Sequence, residues 1–529
     1  MTSINAVEAS HRHARHYLSV LRGANNLYFE GGVALDEALR LFEQDKPSIE
    51  IAFGWAASHA TVDPVVATLC CKSYQAGSRL LYLRLHPLQH VQWAEAALNA
   101  AKIVADKDSE RECLAGLGIV KNALGNFSSG MELLETALRM AQQRGDLEGE
   151  AVALGNLGMM YTKLGNPQRA VECHERELLI RGESSSARAR MLVLGNLANA
   201  VADMGDQARA VTYHEQALEL AEKLSDRYTE GALLGNLGLA HGRLGRHRKA
   251  LELHARALSI ARELKDIRTE AYALRNMGLI FVEVGASDQA KSCHEAQLEL
   301  ARKLNDRYAE GEALFNLGNA CYLAGDAETA RQFGEQALEI DREIGNRSGE
   351  GHDCGLLASS YRLLNDLARA MPLYEQQLEI AVELNHERDQ ADALASLGNA
   401  HLQRTDFQKA RQCYERAVGL YRKIGDQSGL GDVLVNLGYV YIQSGALDRA
   451  VECYAECVVI ARRLGNEFGE AAMLTNQAST LSEMGARAEA IKWYSAALEI
   501  FERLNATEAA EVREALDQLK DSTTDTSSL

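Results

Sequence analysis

The stretch LGNLG at 154–158 returns as LGNLA at 194–198 and as LGNLG at 234–238, each time forty residues on. Three columns of small residues keep that beat. The first holds Gly118, Gly158, Ala198, Gly238, Gly278, Gly318, Ala358, Gly398, Gly438 and Ala478. The second holds Gly125, Gly165, Gly205, Gly245, Gly285, Gly325, Asn365, Thr405, Gly445 and Gly485, placed as turns between helices. The third is Gly130 followed by Ala170, Ala210, Ala250, Ala290, Ala330, Ala370, Ala410, Ala450 and Ala490, where two helices must approach closely. A period of this length means stacked supersecondary units, so the 529 residues read as one array instead of several globules.

A single unit, RYTEGALLGNLGLAHGRLGRHRKALELHARALSIARELKD (227–266), shows the parts. Leu234, Leu237 and Leu244 recur at helical spacing before the turn at Gly245. Ala250, Leu251, Leu253, Ala257, Leu258, Ile260 and Leu264 form a second apolar stripe. Each unit is therefore a helical hairpin, and a hairpin this small buries its faces only by stacking on its neighbours. Asp226, Asp266 and Asp306, with Glu230, Glu270 and Glu310 four residues later, suit helix N-termini, where free amides and the positive dipole end attract an anion. Glycine suits the left-handed turn, asparagine tolerates it, and Thr405 departs from the rule.

The order of small, aromatic and apolar residues in GNLGMMYTKLGNPQRAVECHERELLI (155–180) resembles the tetratricopeptide repeat. The forty-residue period is similar to that of the Pins/LGN-like polarity adaptors and of the repeat sensors of bacterial STAND proteins. The resemblance implies an all-α, right-handed superhelix, an α-solenoid of about ten hairpins with helical N- and C-terminal caps, whose first helices line a concave groove. It implies a non-catalytic interaction scaffold that takes a partner peptide or protein segment in that groove. The expected divisions are a helical lead-in at 1–64, a degenerate hairpin at 65–106, ten units at 107–505, a capping helix at 506–520 and a loose tail at 521–529. The lead-in is similar to the helices that precede repeat sensors in STAND signalling ATPases, but no GxxxxGK[ST] loop occurs in the chain.

Composition excludes several functions. A net charge of −18 disfavours nucleic acid and anionic membranes as partners. Ten cysteines without paired spacing read as buried apolar residues in a reducing compartment. The first residues lack a signal-like apolar core and no long apolar run occurs, so a cytoplasmic location is expected. No catalytic set stands out, and neither cofactor nor metal is expected.

The candidate contact residues are amides. Asn156, Asn196, Asn236, Asn276, Asn316, Asn436 and Asn476 share one column, and stacking sets them in a row along successive first helices. At about 100° per residue, Leu237 and His241 face the core while Ala232, Gly235 and Leu239 face away, with Asn236 on their flank. An amide offers donor and acceptor together, enough to grip the main chain of an extended peptide. The alternative is that each Asn ties its helix to the preceding repeat. Asn199, Asn319 and Asn399, three residues further on, point more squarely into the groove. Gly155, Gly195 and Gly235 also read as groove-facing, leaving room for a ligand backbone, with close helix packing as the other explanation.

The family's carboxylate clamp is not expected, because its positions carry mostly Gly. Arg243 and Arg275 could hold an acidic partner side chain or could be simply solvated. His174, His214, His254 and His294 repeat at forty and give way in their column to Tyr374, Tyr414, Tyr454 and Tyr494, which argues for packing over metal binding. Between 345 and 410 the frame lapses, Leu356 and Ser396 replacing ladder amides and Asn365 and Thr405 replacing turn glycines, as if to bend the stack or to host a specific contact. Two rivals to the adaptor stand beside it: the sensing portion of a signalling ATPase system, and a self-associating scaffold.

Overall fold

The computed structural model describes residues 2–30, 33–182 and 185–521. It comprises two compact units, Met1–Thr269 and Glu270–Leu529. The tail expected at 521–529 lies outside the described residues except for Asp521.

Unit 1 begins with four helices, α1 (Thr2–Glu30), α2 (Val33–His59), α3 (Pro64–Arg84) and α4 (Pro87–Ile103). The repeated hairpins follow as α5 (Lys107–Ala123) with α6 (Phe127–Arg144), α7 (Leu147–Lys163) with α8 (Pro167–Arg181), α9 (Ala187–Asp203) with α10 (Gln207–Lys223), and α11 (Arg227–Arg243) with α12 (His247–Leu264). The division between the units falls in the first turn of α13 (Ile267–Glu283).

Unit 2 continues with α14 (Ser287–Lys303), then α15 (Arg307–Leu323) with α16 (Ala327–Ile344), α17 (Arg347–Leu363) with α18 (Leu367–Glu383), and α19 (Glu387–Gln403) with α20 (Phe407–Ile424). It ends with α21 (Gln427–Gln443) and α22 (Leu447–Leu464), α23 (Glu467–Glu483) and α24 (Arg487–Arg503), and α25 (Ala509–Asp521). No strand occurs among the described residues. Each unit is an all-α stack of hairpins.

Side-chain size explains the stacking. Ala170, Ala210, Ala250, Ala370, Ala410 and Ala490 are fully buried at the hairpin contacts, while Leu194, Leu234, Leu314, Leu394 and Leu434 fill the core between repeats. Burying one such leucine stabilises the stack by roughly 1.5–3 kcal/mol. α25 closes unit 2 by burying Val512 and Leu516.

Both ends of the hairpins are chemically specified. Asp226, Asp266 and Asp306 accept the amides of Thr229, Thr269 and Ala309 as N-caps. Glu310 and Glu350 do more than complement a dipole, since each receives two arginines: Arg302 and Arg307 at 2.9 and 2.7 Å, Arg342 and Arg347 at 2.9 and 2.6 Å. Arg307 and Arg347 also reach Glu343 and Glu383 on the second helix of their own hairpin, while Arg302 and Arg342 come from the preceding hairpin, so the pattern bolts successive hairpins together. Within the hairpins the turn residue is left-handed throughout, from Gly245 at φ +70° to Asn365 at +62° and Thr405 at +58°.

Candidate peptide-binding face

Within unit 1, α5 touches α7, α7 touches α9 and α9 touches α11; within unit 2, α15 touches α17, α17 touches α19 and α19 touches α21. Among the repeated hairpins from α5 onward, no successive second helices pack comparably within either unit. First helices drawn together and second helices splayed apart place the inner curve of the stack on the first-helix side.

On each first helix the open stripe runs through positions spaced i, i+4 and i+7. In α7 these are Val152, Asn156 and Met159; in α9, Leu192, Asn196 and Asn199; in α21, Asp432, Asn436 and Tyr439. Asn156, Asn196, Asn236, Asn436 and Asn476 are half-buried there, Asn319 and Asn399 likewise, and Asn199 is exposed. Two ladder members sit deeper: Asn276 is 2% and Asn316 7% exposed.

The amides already have partners inside the stack. Asn236 Nδ2 donates to Asn199 Oδ1 at 3.2 Å, and Asn436 Nδ2 donates to Asn399 Oδ1 at 3.1 Å. Asn399 Oδ1 also accepts the Tyr414 hydroxyl at 2.6 Å. Asn156 donates to its own helix, at Val152 O. The residues that read as rival contact positions, Asn199 and Asn236 or Asn399 and Asn436, are thus the two halves of one inter-repeat bond. Each pair leaves open part of its hydrogen-bonding capacity, because an amide has two donors and two lone pairs.

Other expectations change on contact with neighbouring helices. Arg275 is engaged inside the chain, at 2.8 Å from Glu312 on α15 and 3.3 Å from Asn276 Oδ1. Arg243 is exposed at the end of α11. Gly155 does not face the open groove: a Cβ there would lie 2.7 Å from the Glu177 carboxylate of α8. A Cβ on Gly195 would meet Leu233 at 3.4 Å. Tight helix contact, not ligand clearance, accounts for Gly155, whereas Gly195 would make only an ordinary van der Waals contact.

His214 and His254 are buried in the hairpin contacts, and burial pushes both rings down to about 4. The His254 ring occupies the space that a Cβ on Gly238 would need, its Cε1 being 2.7 Å from that position. The equivalent Tyr414 packs on Gly398 in the same way. Among the described residues no three His, Cys, Asp or Glu side chains are grouped to hold a metal. Cys453 and Cys457 are buried, and burial raises both thiols, to about 11 and about 12.

Sequence reasoning missed the apolar part of the stripe. Val152, Met159 and Leu192 are 36%, 44% and 52% exposed beside the unit 1 amides, and Tyr439 is 47% exposed beside Asn436. Their signal was available, since they share the columns of Ala232 and Leu239.

A solenoid of helical hairpins with an open first-helix face defines a class of repeat scaffold. The sequence profile of the tetratricopeptide repeat matches residues 110–181, 188–263, 269–343, 353–423 and 430–521, and the chain belongs to that family. Repeats of this family generally mediate protein–protein interactions.

Among solved structures the chain is similar to the STAND protein with a tetratricopeptide repeat sensor PH0952 of Pyrococcus horikoshii, at 16% identity and a TM-score of 0.50, covering 72% of this chain and 54% of that one. It is also similar to BtubC (BKLC) of P. vanneervenii, at 21% identity and a TM-score of 0.38 over 41% of this chain and 92% of that one. The apo quorum sensor NprR of B. thuringiensis matches at 17% identity and a TM-score of 0.46, over 64% and 99% of the two chains. No curated protein sequence matches. None of the described helices is long and apolar enough to cross a membrane.

Proposed function

We propose that this chain is a non-catalytic adaptor that binds an extended segment of a partner protein along the first-helix face, in a reducing, cytoplasmic setting. The observation that supports this most is the half-open amide stripe flanked by exposed apolar side chains in α7 and α9. Amides with spare donors and acceptors suit main-chain recognition, and Val152, Met159 and Leu192 suit apolar side chains between them. The cysteines are all free thiols, buried or half-buried, which supports the compartment.

The test is selection from a random peptide library against the full chain and against a variant carrying Asn156→Ala, Asn196→Ala and Asn236→Ala. The expected result is a set of binders that the variant loses while keeping its helical circular dichroism. Binders retained in full by the variant would assign the amides to structure alone.

A second reading, the sensor of a signalling ATPase, draws on the likeness to the STAND protein. Nucleotide-dependent co-purification with an ATPase would favour it over the adaptor.

A further inference from the structure

Two carboxyl groups in unit 2 stand where the repeat frame carries apolar side chains, Arg181 in the column of Asp341 apart. Asp353, on α17, occupies the column of Ala153, Ala273, Ala313 and Ala393, and Asp341, on α16, that of Ala141, Ala221, Ala261, Ala301, Ala381 and Ala461. Their exposures are 0% and 4%. Neither oxygen of Asp353 receives a hydrogen bond from any donor, and the polar group that it meets is the Asp341 carboxyl. Two ionised carboxylates offer only acceptors, so a bond between them requires a retained proton.

Asp341 is wedged where three helices converge. A Cβ on Gly349 of α17 would lie 1.8 Å from its Oδ2, and one on Gly311 of α15 would lie 3.1 Å from its Oδ1. Asn346 Nδ2 donates to Oδ1 at 3.1 Å. The charged neighbours do not supply a free cation. Arg342 and Arg347 are bonded to Glu350, which also receives Gln376 from α18 at 3.1 Å. Glu312 of α15 is engaged by Arg275, and His352 lies 3.6 Å from Asp389 of α19. Burial, and then the Asp341 charge, pushes Asp353 up to about 9, and burial raises Asp341 as well.

We infer that the Asp341–Asp353 pair makes the joint between the α15–α16 and α17–α18 hairpins proton-controlled: closed while the pair shares a proton, loosened when both carboxyls ionise. A carboxyl raised in the folded state favours folding fully below the ordinary carboxylate range, and that contribution is lost progressively as pH climbs to about 9. Acid therefore tightens this joint and alkali opens it. The first helices α15 and α17 meet at the same joint, so its opening would change their spacing on the open face.

The test is hydrogen exchange of the full chain, resolved by helix, at pH 5.5, 7 and 8.5 and corrected for intrinsic exchange (three settings spanning roughly the linkage range). Protection of α16 and α17 in the wild type is expected to fall by up to about tenfold per pH unit relative to the other helices of unit 2. Asp353→Ala and Asp341→Ala, each restoring the alanine found elsewhere in its column, should flatten that dependence and raise protection at neutral pH. Should either alanine loosen its helix at every pH, Asp353→Asn replaces it, and an unchanged wild-type slope in that variant overturns the proposal. So does a wild type whose α16 and α17 respond no differently from their neighbours.

Discussion

Asn436 on α21 donates its side-chain amide to Asn399 on α19 at 3.1 Å, and Asn399 holds the Tyr414 hydroxyl at the same oxygen. The bond is inter-repeat and half-open to solvent. Asn436→Ala should therefore cost about 1 kcal/mol, the net contribution of an ordinary hydrogen bond. A double-mutant cycle with Asn399→Ala, read by urea unfolding, should return a coupling of at least about 0.5 kcal/mol. Strict additivity would mean that the two amides do not bond in solution.

Glu350 should be among the most sensitive surface-proximal positions of unit 2. It accepts Arg342, Arg347 and Gln376 with its side chain only 10% exposed. Glu350→Ala removes an acceptor from two arginines and an amide, of which Arg347 keeps Glu383, and should destabilise by about 2 kcal/mol. Glu350→Gln, which keeps an acceptor oxygen, should cost less, as chemical denaturation would show.

Unit 1 should respond to pH in the sense opposite to the carboxyl joint of unit 2. Burial holds His254 at about 4, with neither ring nitrogen hydrogen-bonded. Its contribution to stability is present above the ordinary imidazole range and is lost as pH falls through that range toward about 4. Each such histidine can contribute up to about 1.4 kcal/mol per pH unit over that window. His254→Gln should shallow the acid limb of the unfolding curve; an unaltered limb would place the sensitivity elsewhere.

Thr405 holds a left-handed conformation at φ +58°, where its counterpart in most repeats is glycine. A β-branched side chain there costs about 1–2 kcal/mol. Thr405→Gly should recover about 1 kcal/mol after the loss of unfolded-state restriction is offset. A melting temperature that fails to rise would show the turn to be relaxed by its surroundings.

The turn inside each hairpin was legible because one residue type dominates its column. The turn between hairpins was only partly so: Gly145, Gly345, Gly425 and Gly465 share its column with Asn305, Asn385 and Asn505, but Ser225 and Lys265 are left-handed there too, at φ +53° and +57°. Glycine and asparagine carry that signal, and Ser225 and Lys265 do not. Their conformation is imposed by the helices on either side, which are fixed by the core and leave the connecting residue one route.

The candidate site shows the same division. Periodicity located the amide row and its neighbours, since about 100° per residue assigns a helical side chain to a face. Depth along that face escaped it: Asn276 and Asn316 are buried while Asn236 is half-open, although all three occupy one column. Asp353 shows this most sharply, because in a chain with 74 acidic residues one more aspartate is unremarked until its column proves apolar and its carboxyl meets another.

Side-chain size and a forty-residue period were sufficient to specify hairpins, their stacking and their family, since small residues permit close helices and leucines reward burial wherever the chain happens to run. Partnership between residues belonged to the tertiary structure. Whether an amide pairs with its neighbour, an arginine is engaged, or a carboxyl keeps its proton depends on a few ångströms between helices that are distant in sequence, and no spacing along the chain encodes that distance.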